Sequence, residues 1–153
     1  MRRVLALALL TAVAVVAATL AQAETTAVSK PLPGLPQWTA GYTGWTKLNR
    51  RPIPPRASDA HSGTKNVYAS KRARNGVYPV GTVIVKDVRR PGSRTIDVVA
   101  AMRKRSRGAN HGWEMIEWTR SSPSSRFTIL AQGSICYGCH IGAKPDYVFT
   151  KRR

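Results

Sequence analysis

Cysteine is nearly absent from this chain: among 153 residues, only Cys136 and Cys139 carry thiols. A bridge across two intervening residues would close too small a loop to stabilise a domain much. A disulfide-stapled fold is therefore excluded, and the two thiols are there for chemistry, either redox or ligation. Acidic residues are scarce as well, with 7 Asp+Glu against 25 Lys+Arg and a formal charge of +18 at pH 7. Methionine is confined to Met1, Met102 and Met115, so none follows the cysteine pair. Beyond residue 23 no long 3.6-residue apolar stripe is sustained, which argues against a helical bundle. Internal repeats and low-complexity tracts are also missing.

The first 23 residues have the features of a secretory signal. Arg2 and Arg3 form a positive start, residues 4–20 are apolar apart from Thr11 and Thr19, and Ala21-Gln22-Ala23 supplies a small-x-small cleavage site before Glu24. The competing reading is a retained membrane anchor, but about 17 residues is at the short limit for spanning. Removing Arg2 and Arg3 with this segment leaves 23 basic and 7 acidic residues, a formal +16. Export to the periplasm speaks against a nucleic-acid partner. The basic residues cluster at 71–74, 103–107 and 151–153, and read as a solvated surface or as a docking face for an acidic redox partner.

The remaining 130 residues suit a single domain. Residues 24–37 read as a flexible lead-in, since Pro31, Pro33, Gly34 and Pro36 oppose regular structure. Residues 38–48, rich in aromatics, read as one short helix or an irregular lid. From residue 66 the pattern turns strand-like. Segments 66–69, 81–88, 96–103, 112–119 and 127–132 are β-prone and bounded by Pro-, Gly- or Ser-rich spacers. The expected fold is α+β, mainly an antiparallel sheet with a few short helices.

Cys136-Tyr137-Gly138-Cys139-His140 has the C-x-x-C-H spacing of c-type haem attachment. Two thiols so spaced can add to the two vinyl groups of one porphyrin, and the adjacent His140 then sits beneath the iron as an axial ligand. Bacteria attach haem in this way outside the cytoplasm, in agreement with the signal. Two other readings use the same residues. A redox dithiol wants a βαβ context, and a zinc site would need His61 or His111 as a fourth ligand.

Several further segments flank this motif. They are Tyr78 to Asp87 (YPVGTVIVKD), Ala101 to Lys104 (AMRK), Gly112 to Glu117 (GWEMIE) and Asp146 to Thr150 (DYVFT). In this order, and with the haem motif, they resemble the cytochrome P-460 family and its relatives, the cytochromes c′-beta. The resemblance implies a mostly antiparallel β fold, often dimeric, with one haem c. It also implies a His-ligated iron whose sixth position is open to small nitrogen-containing molecules such as hydroxylamine or nitric oxide. Family members that oxidise hydroxylamine bond a lysine to the haem ring, and that lysine matches Lys86, although Asp87 stands where the pattern has Glu. Strand alternation independently puts Lys86 on the face of Ile84 and Val88, where an unpaired ammonium is costly. The plainer alternative is a Lys that reaches solvent or pairs with Glu114 or Glu117.

An oxidising site also benefits from a carboxylate as proton acceptor. Residues 131–135 contain none, leaving Glu114, Glu117 or Asp146 to approach from elsewhere. Gln132 and Ser134 can hydrogen-bond a ligand but are poor bases. His61 could cap the distal side but reads more readily as a surface residue, His111 reads as turn chemistry, and Trp38, Trp45 and Phe149 as core. Trp113 and Trp118 fall on opposite strand faces. Two other functions fit the same motif: an electron carrier with Met102 or Met115 as sixth ligand, and a passive gas-binding protein.

Overall fold

The computed structural model describes residues 29–150. The signal segment expected at 1–23 and the basic tail 151–153 lie outside the described residues. Six strands form one sheet: β1 (Thr46–Lys47), β2 (Thr64–Ala69), β3 (Val83–Arg89), β4 (Ile96–Lys104), β5 (Trp113–Thr119) and β6 (Thr128–Gln132). They lie side by side in chain order, and every neighbouring pair is antiparallel. One α-helix, α1 (Ser134–His140), and three single 3-10 turns complete the fold. The expected α+β, sheet-dominated class is what forms.

Alternation splits the strands between two faces. On one face Val67, Ala69, Ile84, Met102, Trp113 and Met115 pack with Leu48, Tyr78, Tyr147 and Val148. On the other, Tyr68, Val83, Val85, Val99, Ala101 and Trp118 pack with Leu35, Tyr42 and Phe127. Each large apolar side chain so buried contributes about 1.5–3 kcal/mol. The two tryptophans of β5 divide as alternation requires: Trp113 serves the first face and Trp118 the second.

The N-terminal segment covers the second face. Residues 38–48, read as one helix or a lid, instead form two 3-10 turns (Gln37–Thr39 and Tyr42–Gly44) followed by β1. Gly41, Gly44 and three β-branched threonines oppose a continuous helix, whereas ring contacts favour the turns. Trp38 meets Trp118 at 5.9 Å and Tyr42 meets Tyr68 edge-on at 5.4 Å. The stretch read as a lead-in also packs from Leu32 onward, with Leu35 buried and the Pro33 carbonyl accepting from the Phe127 amide at 2.8 Å. A Cβ on Gly34 would lie 2.2 Å from the Phe127 carbonyl oxygen, so this crossing needs glycine.

Beneath this cover Asp87 is fully buried but satisfied. It accepts from Tyr42 Oη (3.3 Å), Asn66 Nδ2 (3.3 Å) and Arg89 Nη1 (2.9 Å). Burial, and then the Asp87 charge, push the Tyr42 hydroxyl well above its ordinary pKa.

Candidate functional site: a haem-type cavity under the C-terminal helix

The first face of the sheet is closed by the chain that follows β6. Gly133 turns it with φ 68° and ψ −128°, a backbone region that side chains scarcely tolerate. Its amide donates to Met115 O at 2.9 Å, and its carbonyl accepts from the Tyr137 amide at 3.1 Å, opening α1. This helix presents Cys136, Cys139 and His140 toward the sheet. Neither thiol is in a disulfide; Cys136 is half-buried and Cys139 exposed. Burial, then the neighbouring Glu117 charge, push the Cys136 thiol up from its ordinary pKa.

His140 is held in one orientation. Its Nδ1 lies 2.7 Å from the Tyr147 carbonyl. A carbonyl only accepts, so Nδ1 carries the proton and Nε2 keeps its lone pair for a metal. Tyr147 reaches this position with a left-handed φ of 62°, a strained conformation outside glycine. Phe149, read as core, is largely exposed and packs edge-on to the imidazole at 5.2 Å. Burial lowers the His140 pKa, while the Tyr147 hydrogen bond opposes the shift.

Asp146 anchors the segment that supplies this carbonyl. Buried, it accepts from the Tyr78 amide (2.7 Å), from Trp113 Nε1 (3.2 Å) and from Lys104 Nζ. Glu114 instead pairs with Arg103 at 2.8 Å, outside the site. Of the three carboxylates in question, only Glu117 lines the cavity.

That cavity, of about 240 Å³, lies between α1 and the sheet. Its walls are mainly apolar and include Val67, Ile84, Met102, Met115 and Ile135. Cys136, Cys139, His140 and Lys86 also line it, whereas Gln132 and Ser134 do not. Strand register explains the floor. Val67, Lys86, Ala100, Glu117 and Ala131 lie in one row across β2 to β6. Lys86 and Glu117 thus flank Ala100 on strands separated by one other, with backbones about 10 Å apart. A second, more polar cavity of about 760 Å³ shares Ala60, His61, Lys86, Cys139, His140 and Phe149, and adds Arg50, Arg56 and Asp59.

Lys86 is half-buried, and among the described residues its ammonium has no hydrogen bond or ion pair. Burial, followed by the positive charge of Lys65, lowers its pKa below the ordinary lysine value. The pairing with Glu114 or Glu117 considered as an alternative does not form. Lys65, itself buried, pairs with Asp59. His61 differs from the surface reading: its Nδ1 lies 2.9 Å from Glu117 Oε1, and its side chain is 17 % exposed. The pair joins residues 56 positions apart in sequence, so no local pattern signals it. His111 adopts a left-handed φ of 54° and stacks on Tyr147 at 4.9 Å. No cluster arranged for a metal ion occurs among the described residues, so the zinc alternative finds no assembled ligand set. The wholly antiparallel sheet also lacks the βαβ context of a redox dithiol.

The family model of cytochrome P-460 matches residues 39–150, most of the chain. The chain belongs to the cytochrome P-460 family. No curated protein and no solved structure matches it significantly. Membership in this cytochrome family implies a haem cofactor. The residues present suit one: two unbridged thiols on a short helix, an imidazole whose Nε2 is available, and an apolar cavity facing all three.

Proposed function

We propose that this chain is an exported mono-haem c-type cytochrome acting on small nitrogen species. Cys136 and Cys139 would tether the ring and His140 Nε2 would ligate its iron, leaving that iron open to hydroxylamine or nitric oxide. The observation that carries this reading is the meeting of Cys136, Cys139, His140, Lys86 and Glu117 around one apolar cavity, with His140 Nδ1 already committed to Tyr147. Haem, when bound, supplies an iron that coordinates a small ligand and exchanges electrons.

The chain's own residues supply the rest. Tyr147 and Phe149 fix the imidazole, and Ile84, Met102 and Met115 keep bulk water from the site. Glu117 places a proton acceptor on the same wall, which favours an oxidising role over passive gas binding. Lys86, with a depressed pKa, is inclined toward the neutral amine that bonding to the ring requires.

Mass spectrometry of a tryptic digest of the haem-loaded protein tests the tether and the lysine together. The expected product is one haem joined to the Cys136–Cys139 peptide and to the Lys86 peptide. Haem on the cysteines alone removes the cross-link, and a haem-free cysteine peptide removes the reading altogether. Hydroxylamine-dependent reduction of an artificial acceptor then tests the enzyme role. An electron carrier is the second reading, because Met102 and Met115 both line the cavity and can approach the iron. A six-coordinate, low-spin absorption spectrum unaltered by nitric oxide would decide for it.

A further inference from the structure

The end of the sheet where β2 and β4 stop and β3 and β5 begin carries charge of one sign. Three connections meet there: 70–82, 105–112 and 141–147. Gly76 comes so close to Pro145 that an added Cβ would lie 2.7 Å from its Cγ, and Asp146 accepts from both the Tyr78 amide and Lys104. Arg72, Arg74, Arg107 and Lys144 are exposed on these connections. The nearest side-chain carboxylates among the described residues do not offset them, because Glu114 pairs with Arg103 and Arg105 and the buried Asp146 pairs with Lys104. The first connection also exposes Val77 and Val80, so the charged surface includes apolar area.

A chain of contacts joins His140 to this end. His140 Nδ1 donates to the Tyr147 carbonyl at 2.7 Å. The buried Tyr147 ring stacks on His111 at 4.9 Å, and the Lys144 ammonium lies 5.2 Å from the same ring. His111 itself is exposed. One hydrogen bond, one tyrosine and one ring stack therefore separate the presumptive iron ligand from solvent at the basic end.

We infer that this end of the sheet is the docking face for an acidic one-electron carrier protein, with His111 as the point where the electron crosses. The inference rests on the c-type haem reading above. Opposite charge steers the encounter and sets its orientation. The haem iron gives up one electron and the oxidised centre of the carrier gains it, with no bond made or broken and no proton moved. An anionic lipid surface would be drawn to the same charges, but it has no use for a path of rings that surfaces among them.

Plant-type [2Fe–2S] ferredoxin, an acidic and strongly reducing carrier, is the probe. Reduced ferredoxin sends one electron through the same face in the opposite direction, into the ferric haem-loaded protein, and stopped-flow haem absorption follows it. Calorimetric titration of the ferric protein with oxidised ferredoxin measures docking separately. At low salt, Arg74→Glu/Arg107→Glu should weaken docking and slow the second-order rate about tenfold, whereas Arg94→Glu/Arg126→Glu should change either by less than about threefold. The second pair makes the same charge change on the connections 90–95 and 120–127, at the other end of the sheet. His111→Ala should dock normally but lower the limiting rate at saturating ferredoxin, and His111→Phe, which keeps a ring, should restore it. Equal effects of the two charge pairs would show that only net charge matters and overturn the docking face. An unchanged limiting rate in His111→Ala would overturn the crossing point. If Arg74→Glu/Arg107→Glu abolishes sedimentation with phosphatidylglycerol vesicles and alters neither ferredoxin measurement, the surface binds lipid and the proposal falls. Purified protein with no haem on its Cys136–Cys139 peptide would refute the haem reading itself, a separate failure that takes this inference with it.

Discussion

Replacing Asp146 with Ala should destabilise the whole domain and not merely its C-terminal segment. Its carboxylate is 5 % exposed and accepts from three donors: the Tyr78 amide, Trp113 Nε1 and Lys104 Nζ. Alanine leaves two buried N–H groups without an acceptor and the Lys104 ammonium, 14 % exposed, without its counter-charge. Breaking a buried pair from one side costs about 3–5 kcal/mol. For about 120 ordered residues the unfolding entropy is roughly 0.25 kcal/mol/K, so the melting temperature should fall by about 12–20 °C. Asp146→Asn keeps one acceptor oxygen and should lose about half as much. The assay is thermal unfolding of the haem-loaded protein, followed by circular dichroism and by haem absorption in parallel. Asp146 precedes the residue whose carbonyl holds His140, so both signals should shift together. A fall below about 4 °C in Asp146→Ala, near 1 kcal/mol, would refute the anchoring argument.

Three other substitutions probe separate parts of the structure. Lys86→Met should stabilise the haem-free protein at pH 7 by about 1–2 kcal/mol, because it removes a charge with no hydrogen-bond partner. The lowered pKa means the unfolded chain binds that proton more tightly. Wild-type stability should therefore rise as pH climbs toward the ordinary value of 10.5, closing the gap to the variant; unfolding curves with a constant gap would contradict this. Gly133→Ala meets nothing within 4 Å, so its cost is purely one of backbone conformation, about 1–3 kcal/mol in a denaturant melt. Tyr42→Phe should cost about 1 kcal/mol of stability and leave the haem spectrum unchanged, because Tyr42 packs on the far face of the sheet. A spectral change there would mean that the two faces are coupled.

The strands from β2 to β6 were legible because β-branched runs between breaker-rich spacers are a local signal. Their ends were less so. β2 begins at Thr64, ahead of the expected residue 66, because Lys65 pairs with Val88 across the sheet. β1 was unreadable, since two residues carry no periodicity and Thr46–Lys47 is a strand only through its partner. At the site, alternation correctly put Lys86 on the face of Ile84, and the haem motif marked the three residues of α1. The carboxylate facing that motif could be narrowed to three candidates from sequence, but only strand register selects Glu117. His61 was read mainly as a surface residue because its environment comes from β5, far along the chain, while its own loop is polar. Some basic residues that suggested a docking face are engaged within the domain: Arg103 pairs with Glu114 and covers Trp38 at 4.8 Å, and Lys104 pairs with Asp146.

The side-by-side order of the six strands has a consequence for how the molecule is made. Each strand pairs with the one just before it, so the sheet can grow hairpin by hairpin. Synthesis reaches Cys136 only after every strand has been made. The sheet floor can therefore exist before the segment bearing the two thiols joins it, and Cys139 stays at the surface even when α1 has docked. Maturation of this cytochrome then amounts to closing a finished plate with a short terminal clasp.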